Sequence, residues 1–150
     1  MDRALNVLIA EDDLMLADLL EEILVDLGHN VCGISRTVDE AVAIGLASRP
    51  DLAIIDVRLA DGGLGPHVAL ALSGLTGMAV LYATGNLDQA LLLQARGHGC
   101  IVKPYRAEDM VRSVEIVSEM VSTGMATGPV PRNFRFLPSG APRDAPLAHG

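Results

Sequence analysis

The sequence predicts an α/β domain in which a parallel sheet carries helices on both faces, and three observations predict it. Five short apolar runs, at about 5–10, 30–35, 52–56, 79–84 and 100–103, alternate with segments of helical period. The runs are apolar on consecutive residues, as strands covered on both sides are. Four of them stop abruptly at polar residues: Glu11-Asp12-Asp13, Asp56, Thr84 and Lys103. Right-handed crossovers wind such units into a doubly wound five-stranded sheet, whose ligands bind outside the carboxyl ends of the strands. All four polar features lie at those ends.

Each element has its own local reason. Val7-Leu8-Ile9-Ala10 is the first strand, and Asp13 is placed to cap the helix that follows. Leu14, Ala17, Leu20, Ile23, Leu24 and Leu27 trace one helical face, and Gly28 supplies the stop. Thr37 and Glu40 form a capping box ahead of 41–48. Leu52-Ala53-Ile54-Ile55 leads into Asp56, and a third helix is expected from near Pro66 to Leu75. Ala79–Ala83 is the fourth strand and ends in Thr84-Gly85. A fourth helix is expected over about 87–97, opened by Asn86 and carrying Leu91, Leu92 and Leu93. Cys100-Ile-Val runs into Lys103-Pro104. A last helix should cover about 107–121, with Glu108 and Asp109 near its start and Met110, Val114, Val117 and Val121 facing the sheet.

From Ser122 the composition shifts to Pro, Gly and Ala without periodicity. The expected division is a domain over 5–123 and a mostly flexible tail over 124–150 with no output domain. Both phenylalanines of the chain, Phe134 and Phe136, fall in that tail. They mark either an incidental apolar spot or a docking segment that folds back on the domain or on a neighbouring chain.

Length and composition narrow the function. At 150 residues the chain reads as one domain. Its net charge is −8 and its basic residues are scattered singly, which argues against nucleic acid as a direct partner. No apolar run is long enough to span a bilayer, so no membrane association is expected. Met1-Asp2-Arg3 opens straight into strand-like sequence, which reads as lacking a signal peptide. Cys32 and Cys100 lack metal-type spacing and are expected as buried free thiols on opposite edge strands, in a reducing, cytoplasmic setting. His29, His67, His98 and His149 show no ligand spacing and read as ordinary surface or loop residues.

The polar strand ends carry the chemistry. An acid pair, a lone Asp, a hydroxyl and the chain's single lysine, brought together, have the parts to hold Mg²⁺ and a phosphoryl group on a carboxylate. Crowded carboxylates raise one another's pKa unless a cation intervenes, and a hard divalent ion with oxygen ligands is the natural remedy.

In order and spacing these residues resemble the receiver domain of two-component response regulators, and the resemblance covers about residues 5–123. It implies a flavodoxin-like (βα)5 fold with strand order 2-1-3-4-5, and a protein that signals by contact rather than a classical enzyme. Asp56 would be the phosphoacceptor, Glu11 and Asp12 the metal-binding acid pair, Thr84 the hydroxyl that answers the phosphoryl group and Lys103 the cation that pairs with it. Pro104 would follow Lys103 through a cis bond. Asp12 and Asp56 are the expected direct Mg²⁺ ligands, with the Arg58 backbone carbonyl as a third and Glu11 acting through water. The implied partners are a histidine kinase or a histidine phosphotransfer protein, and a homodimer through the face of the fourth helix, fifth strand and fifth helix is plausible.

The chain departs from the family in three places. The position three before the lysine usually carries a switch aromatic; here it is Cys100. Tyr82, two residues before Thr84, is either a substitute for it or a packed strand residue. After Asp56, Ala60 replaces a common Pro and the loop is one residue longer, with three glycines that suggest a mobile lid. Tyr82-Ala-Thr-Gly85 is similar to a motif of some stand-alone receivers from alphaproteobacteria. Two other readings compete. A haloacid-dehalogenase-type phosphatase also uses an Asp nucleophile, but it needs an acid two residues on, where this chain has Arg58. A degenerate receiver serving as a phosphate-independent interaction module would not need the intact acceptor, acid pair, Thr84 and Lys103.

Overall fold

The computed structural model describes residues 3–85 and 94–138. Along the chain run β1 (Asn6–Ala10), α1 (Leu14–Asp26), β2 (Asn30–Ser35), α2 (Val38–Ser48), β3 (Leu52–Asp56), a 3₁₀ turn (Ala60–Gly62), α3 (Gly65–Ala71), β4 (Ala79–Thr84), β5 (Gly99–Val102), α4 (Ala107–Thr123) and β6 (Phe134–Phe136). One sheet holds all six strands in the order β2-β1-β3-β4-β5-β6. The first five are parallel, in the predicted order, and β6 joins β5 antiparallel. The expected helix over 87–97, with Asn86 and Leu91–Leu93, falls largely outside the described residues, as does His149.

Strand alternation sorts the core into two layers. Val7, Ile9, Leu52, Ile54, Leu81 and Ile101 point to the side covered by α1 and α4. Leu8, Ala53, Ile55, Val80, Tyr82 and Cys100 point to the side covered by α2 and α3. Both sides are filled, which is why the strands are uniformly apolar. Asp13 caps α1, its carboxylate accepting from the amides of Met15 and Leu16. Gly28, at φ +91°, lets the chain turn out of α1 as expected. At α2 the Thr37 hydroxyl accepts from Glu40 N, while the Glu40 carboxylate reaches back to Arg36 N.

Several expectations need correcting. On α1, Ala17, Leu20 and Leu24 are buried, but Leu14 and Leu27 are 54% and 41% exposed, because α1 covers the sheet only along its middle. Helix α3 stops at Ala71 rather than Leu75, giving way to a turn that contains Gly74 and Gly77. Cys100 is not on an edge strand, since β6 covers β5; burial pushes its thiol up to about 11. Cys32 is only half-buried. In the tail expected to be flexible from 124, Phe134–Phe136 pairs with β5, Leu137 is buried and Phe134 is 3% exposed. Its apolar pair finds the free edge of β5, a stronger determinant than the Pro- and Gly-rich composition around it.

Two histidines expected to be bland hold backbone ends. His29 Nδ1 accepts from Leu5 N at 3.0 Å and His98 Nδ1 accepts from Val80 N at 3.0 Å. Burial lowers the pKa of both below the usual 6.5. A neutral imidazole is therefore favoured in the folded state, and the unfolded chain binds more protons as pH falls through 6.5. Stability should be full above that pH and decline below it. His98→Asn puts a non-titrating acceptor near the same place. Its thermal melts should lose less stability than wild type between pH 7 and pH 5.5; an unchanged pH profile would remove His98 from the account.

Candidate functional site

The four polar strand ends come together at the carboxyl edge of the sheet. Register aligns Asp56, the last residue of β3, with Ala83, and Thr84 with Val102. Asp56, Thr84 and Lys103 therefore step across three neighbouring strand ends, one residue further out each time. Glu11 and Asp12 follow β1 on the other side of β3, where Glu11 N donates to Ser35 O and Arg36 Nε donates to Asp12 O at 3.3 Å. Arg36 had no sequence signal, because its role depends on the packing of the β2–α2 loop against the acid pair.

Lys103 is the hub of this pocket. Its ammonium donates to Glu11 Oε1 at 2.6 Å and to Asp56 Oδ2 at 3.2 Å. The three side chains are only 18%, 8% and 13% exposed, so this is not a solvent-screened surface pair. Glu11 Oε2 accepts from Asp13 N, and Asp56 Oδ1 accepts from Arg58 N at 3.4 Å. Burial pushes the Glu11 carboxyl up against the pull of Lys103 and the Asp13 amide, and Asp56 pushes it further. At Lys103 burial acts downward, but the bond to Glu11 and the charges of Asp56 and Glu11 outweigh it, so the ammonium is held charged. Tyr105, also missed in the sequence, packs at the edge of the α1/α4 layer and feels the charges of Lys103, Glu11 and Asp56.

Glu11, Asp12 and Asp56 each offer an oxygen, and these lie within 4.8 Å of one another. That spacing is close enough for the three carboxylates to serve one small cation, directly or through water. An all-oxygen, triply anionic donor set suits a hard divalent cation and not a thiolate or imidazole metal. One lysine against three carboxylates leaves the pocket negative.

The remaining predicted residues fall as follows. The Lys103–Pro104 peptide is cis. Thr84 is buried at the end of β4. Tyr82 is fully buried, lies opposite Cys100 in the sheet and donates its hydroxyl to Arg96 O at 2.7 Å. Its ring thus fills the layer beside the position where the aromatic is missing. The loop after Asp56, expected as a mobile lid, is closed by backbone bonds: Leu59 N to Gly63 O at 2.8 Å and Gly65 N to Val57 O at 2.7 Å. A Cβ on Gly65 would sit 2.1 Å from Asp56 O, so a glycine is required for α3 to start this close to the site.

Comparison with known proteins agrees with this geometry. Residues 7–115 match the family of response regulator receiver domains. The chain belongs to that family. The receiver is 48% identical over 65 residues to the phyllosphere-induced regulator PhyR of Methylorubrum extorquens, a match over 43% of this chain and 24% of PhyR. It is 31% identical over 115 residues to the transcriptional regulatory protein PdtaR of Mycobacterium tuberculosis, over 74% of this chain and 55% of that protein. It thus spans between a quarter and about half of these relatives. Among solved structures, the signal receiver domain of a modulated diguanylate cyclase from Desulfovibrio desulfuricans superposes with a TM-score of 0.70 at 27% identity, covering 81% of this receiver and 99% of that chain. Both curated relatives are named as regulators. No helix among the described residues is long and apolar enough to cross a membrane.

Proposed function

We propose that the receiver takes a phosphoryl group onto Asp56 from a phosphohistidine protein, a histidine kinase or histidine phosphotransfer protein, and signals through protein contact. The observation that carries it is the Glu11/Asp12/Asp56 cluster with the Lys103 ammonium 3.2 Å from the Asp56 carboxylate. Asp12, Asp56 and the Arg58 carbonyl would hold Mg²⁺, with Glu11 acting through water. When bound, the metal supplies charge neutralisation at the carboxylate and at the incoming group.

In the reaction, a carboxylate oxygen of Asp56 forms a bond to phosphorus as the bond from phosphorus to the donor's imidazole nitrogen breaks. The released imidazole takes up a proton. Lys103 and the Thr84 hydroxyl answer the phosphoryl oxygens, which is catalysis by positioning and electrostatics. The added charge, roughly −1.5 to −2, draws Lys103 away from Glu11. A protein donor is supported by the surface beside the pocket. Met15 and Leu19 of α1 are 74% and 52% exposed, and a groove of about 660 Å³ runs past Leu16, Ile23, Pro104 and Tyr105 to Lys103.

The test is intact mass and phosphate-affinity gel mobility after treatment with phosphoramidate. Wild type should gain one phosphoryl group with Mg²⁺ and none with chelator, and Asp56→Asn should gain none in either. A folded wild type that gains nothing from small donors or from phosphorylated kinase would leave only the phosphate-independent module.

A further inference from the structure

Beyond α4 the chain is strapped to the domain at successive points. Gly124, at φ +87°, ends the helix and turns the chain back. Arg112 of α4 then clasps the connection, donating to Pro129 O at 2.7 Å and to Thr127 O while paired with Glu115 and Glu119. Asn133 brackets one residue of β5: its backbone carbonyl accepts from Val102 N and its side-chain Nδ2 donates to Val102 O, both at 3.0 Å. Strand β6 pairs with Gly99–Ile101, and Leu137 N donates to His98 O at 3.2 Å.

Two side chains of this segment sit in recesses that glycines leave open. A Cβ on Gly99 would lie 2.3 Å from Phe134 Cζ. A Cβ on Gly97 would lie 3.2 Å from Leu137 Cδ1 and 2.6 Å from the Tyr82 ring. Phe134 enters the α1/α4 layer and Leu137 the α2/α3 layer, so the segment grips β5 from both sides of the sheet. This is strand addition: ladder bonds give affinity, and pockets for spaced side chains give selectivity for a Phe-x-x-Leu pattern.

The bracketed residue lies next to the reactive pocket. Val102 precedes Lys103, and Lys103 N donates to Thr84 O at 2.8 Å. Strand β5 lies between β4, on the Asp56 side, and β6. A backbone shift of Thr84 and Lys103 toward Asp56 would carry Val102 away from Asn133.

We propose that the outer edge of β5 is a binding site for an extended Phe-x-x-Leu segment, filled in cis by residues 133–137, which charge arriving at Asp56 opens to the same kind of segment in a partner protein. The opening step rests on Asp56 as phosphoacceptor; the binding site does not.

The test uses the full chain, a fluorescent peptide spanning residues 130–138, and hydrogen exchange at Phe134–Leu137. Asn133→Ala removes the side-chain bond to Val102 O and leaves the backbone one, so exchange there should quicken roughly fivefold and the peptide should bind where it does not bind wild type. No binding despite quickened exchange, or unchanged exchange, overturns the site. Phosphoramidate with Mg²⁺ should produce the same two changes in wild type. A phosphoryl group on the protein by mass, with exchange and peptide binding unchanged, overturns the coupling. No phosphoryl incorporation defeats the reading of Asp56 and the coupling with it, while the Asn133→Ala arm still decides the site.

Discussion

Lys103→Ala is expected to slow phosphoryl transfer onto Asp56 by roughly 10²–10³-fold, the usual loss when one charge-stabilising donor is removed, and at the same time to tighten divalent metal binding. The two effects share one cause. The ammonium sits 2.6 Å from Glu11 and 3.2 Å from Asp56, on the carboxylates that the metal would also use. Without it the pocket keeps all three acids and loses its cation, so Mg²⁺ is drawn in more strongly while the phosphoryl oxygens lose a partner. Phosphorylation rates by intact mass at saturating Mg²⁺, with calorimetry for the metal, separate these effects. Equal loss of both would mean that the variant has lost the architecture of the pocket. Metal-free Lys103→Ala should also melt below wild type, and Mg²⁺ should recover more of its stability.

Phe134→Ala should lower stability by roughly 3–5 kcal/mol, the ordinary range for emptying a buried aromatic site, and lower Tm by roughly 10–20 °C for a chain of this size. Phe136→Ala is the internal control. Phe136 lies two residues away in the same strand and stacks edge-to-face on Phe134 with ring centroids 5.0 Å apart, but it is 50% exposed. Its loss should therefore lower Tm by much less. Denaturant or thermal melts decide the matter. Equal, small effects for both would return the tail to the flexible reading.

The contrast between these two residues shows what could be read from the sequence. The five parallel strands were legible because each is a continuous apolar run that needs cover on both sides. The pocket was legible because Asp56, Thr84 and Lys103 stand where those runs stop, and strand ends converge in a wound sheet. Helix ends marked by Asp13, Thr37 and Gly28 followed from local capping chemistry alone. Strand β6 was not legible: three residues are too few for a period, and its partner is a strand edge some 35 residues upstream. The only signal was the pairing of both phenylalanines in an otherwise apolar-poor tail, together with glycines at 97 and 99 whose purpose appears only when Phe134 and Leu137 fill them. Leu14 and Leu27 misled because helical period does not say how far along a helix its cover extends. His29 and His98 were hidden for the same reason: an imidazole nitrogen that accepts a distant backbone amide leaves no mark on spacing.

The central claim is that the phosphoryl group resides on Asp56, and reductive trapping tests it most directly. Borohydride reduces an acyl phosphate on Asp to homoserine, which peptide mass spectrometry locates to a single residue. Wild type treated with phosphoramidate and Mg²⁺ should yield homoserine at position 56, and none when chelator is present. Homoserine at Asp12 or Asp13, or a stable phosphoryl group on another residue type with position 56 unmodified, would contradict the account.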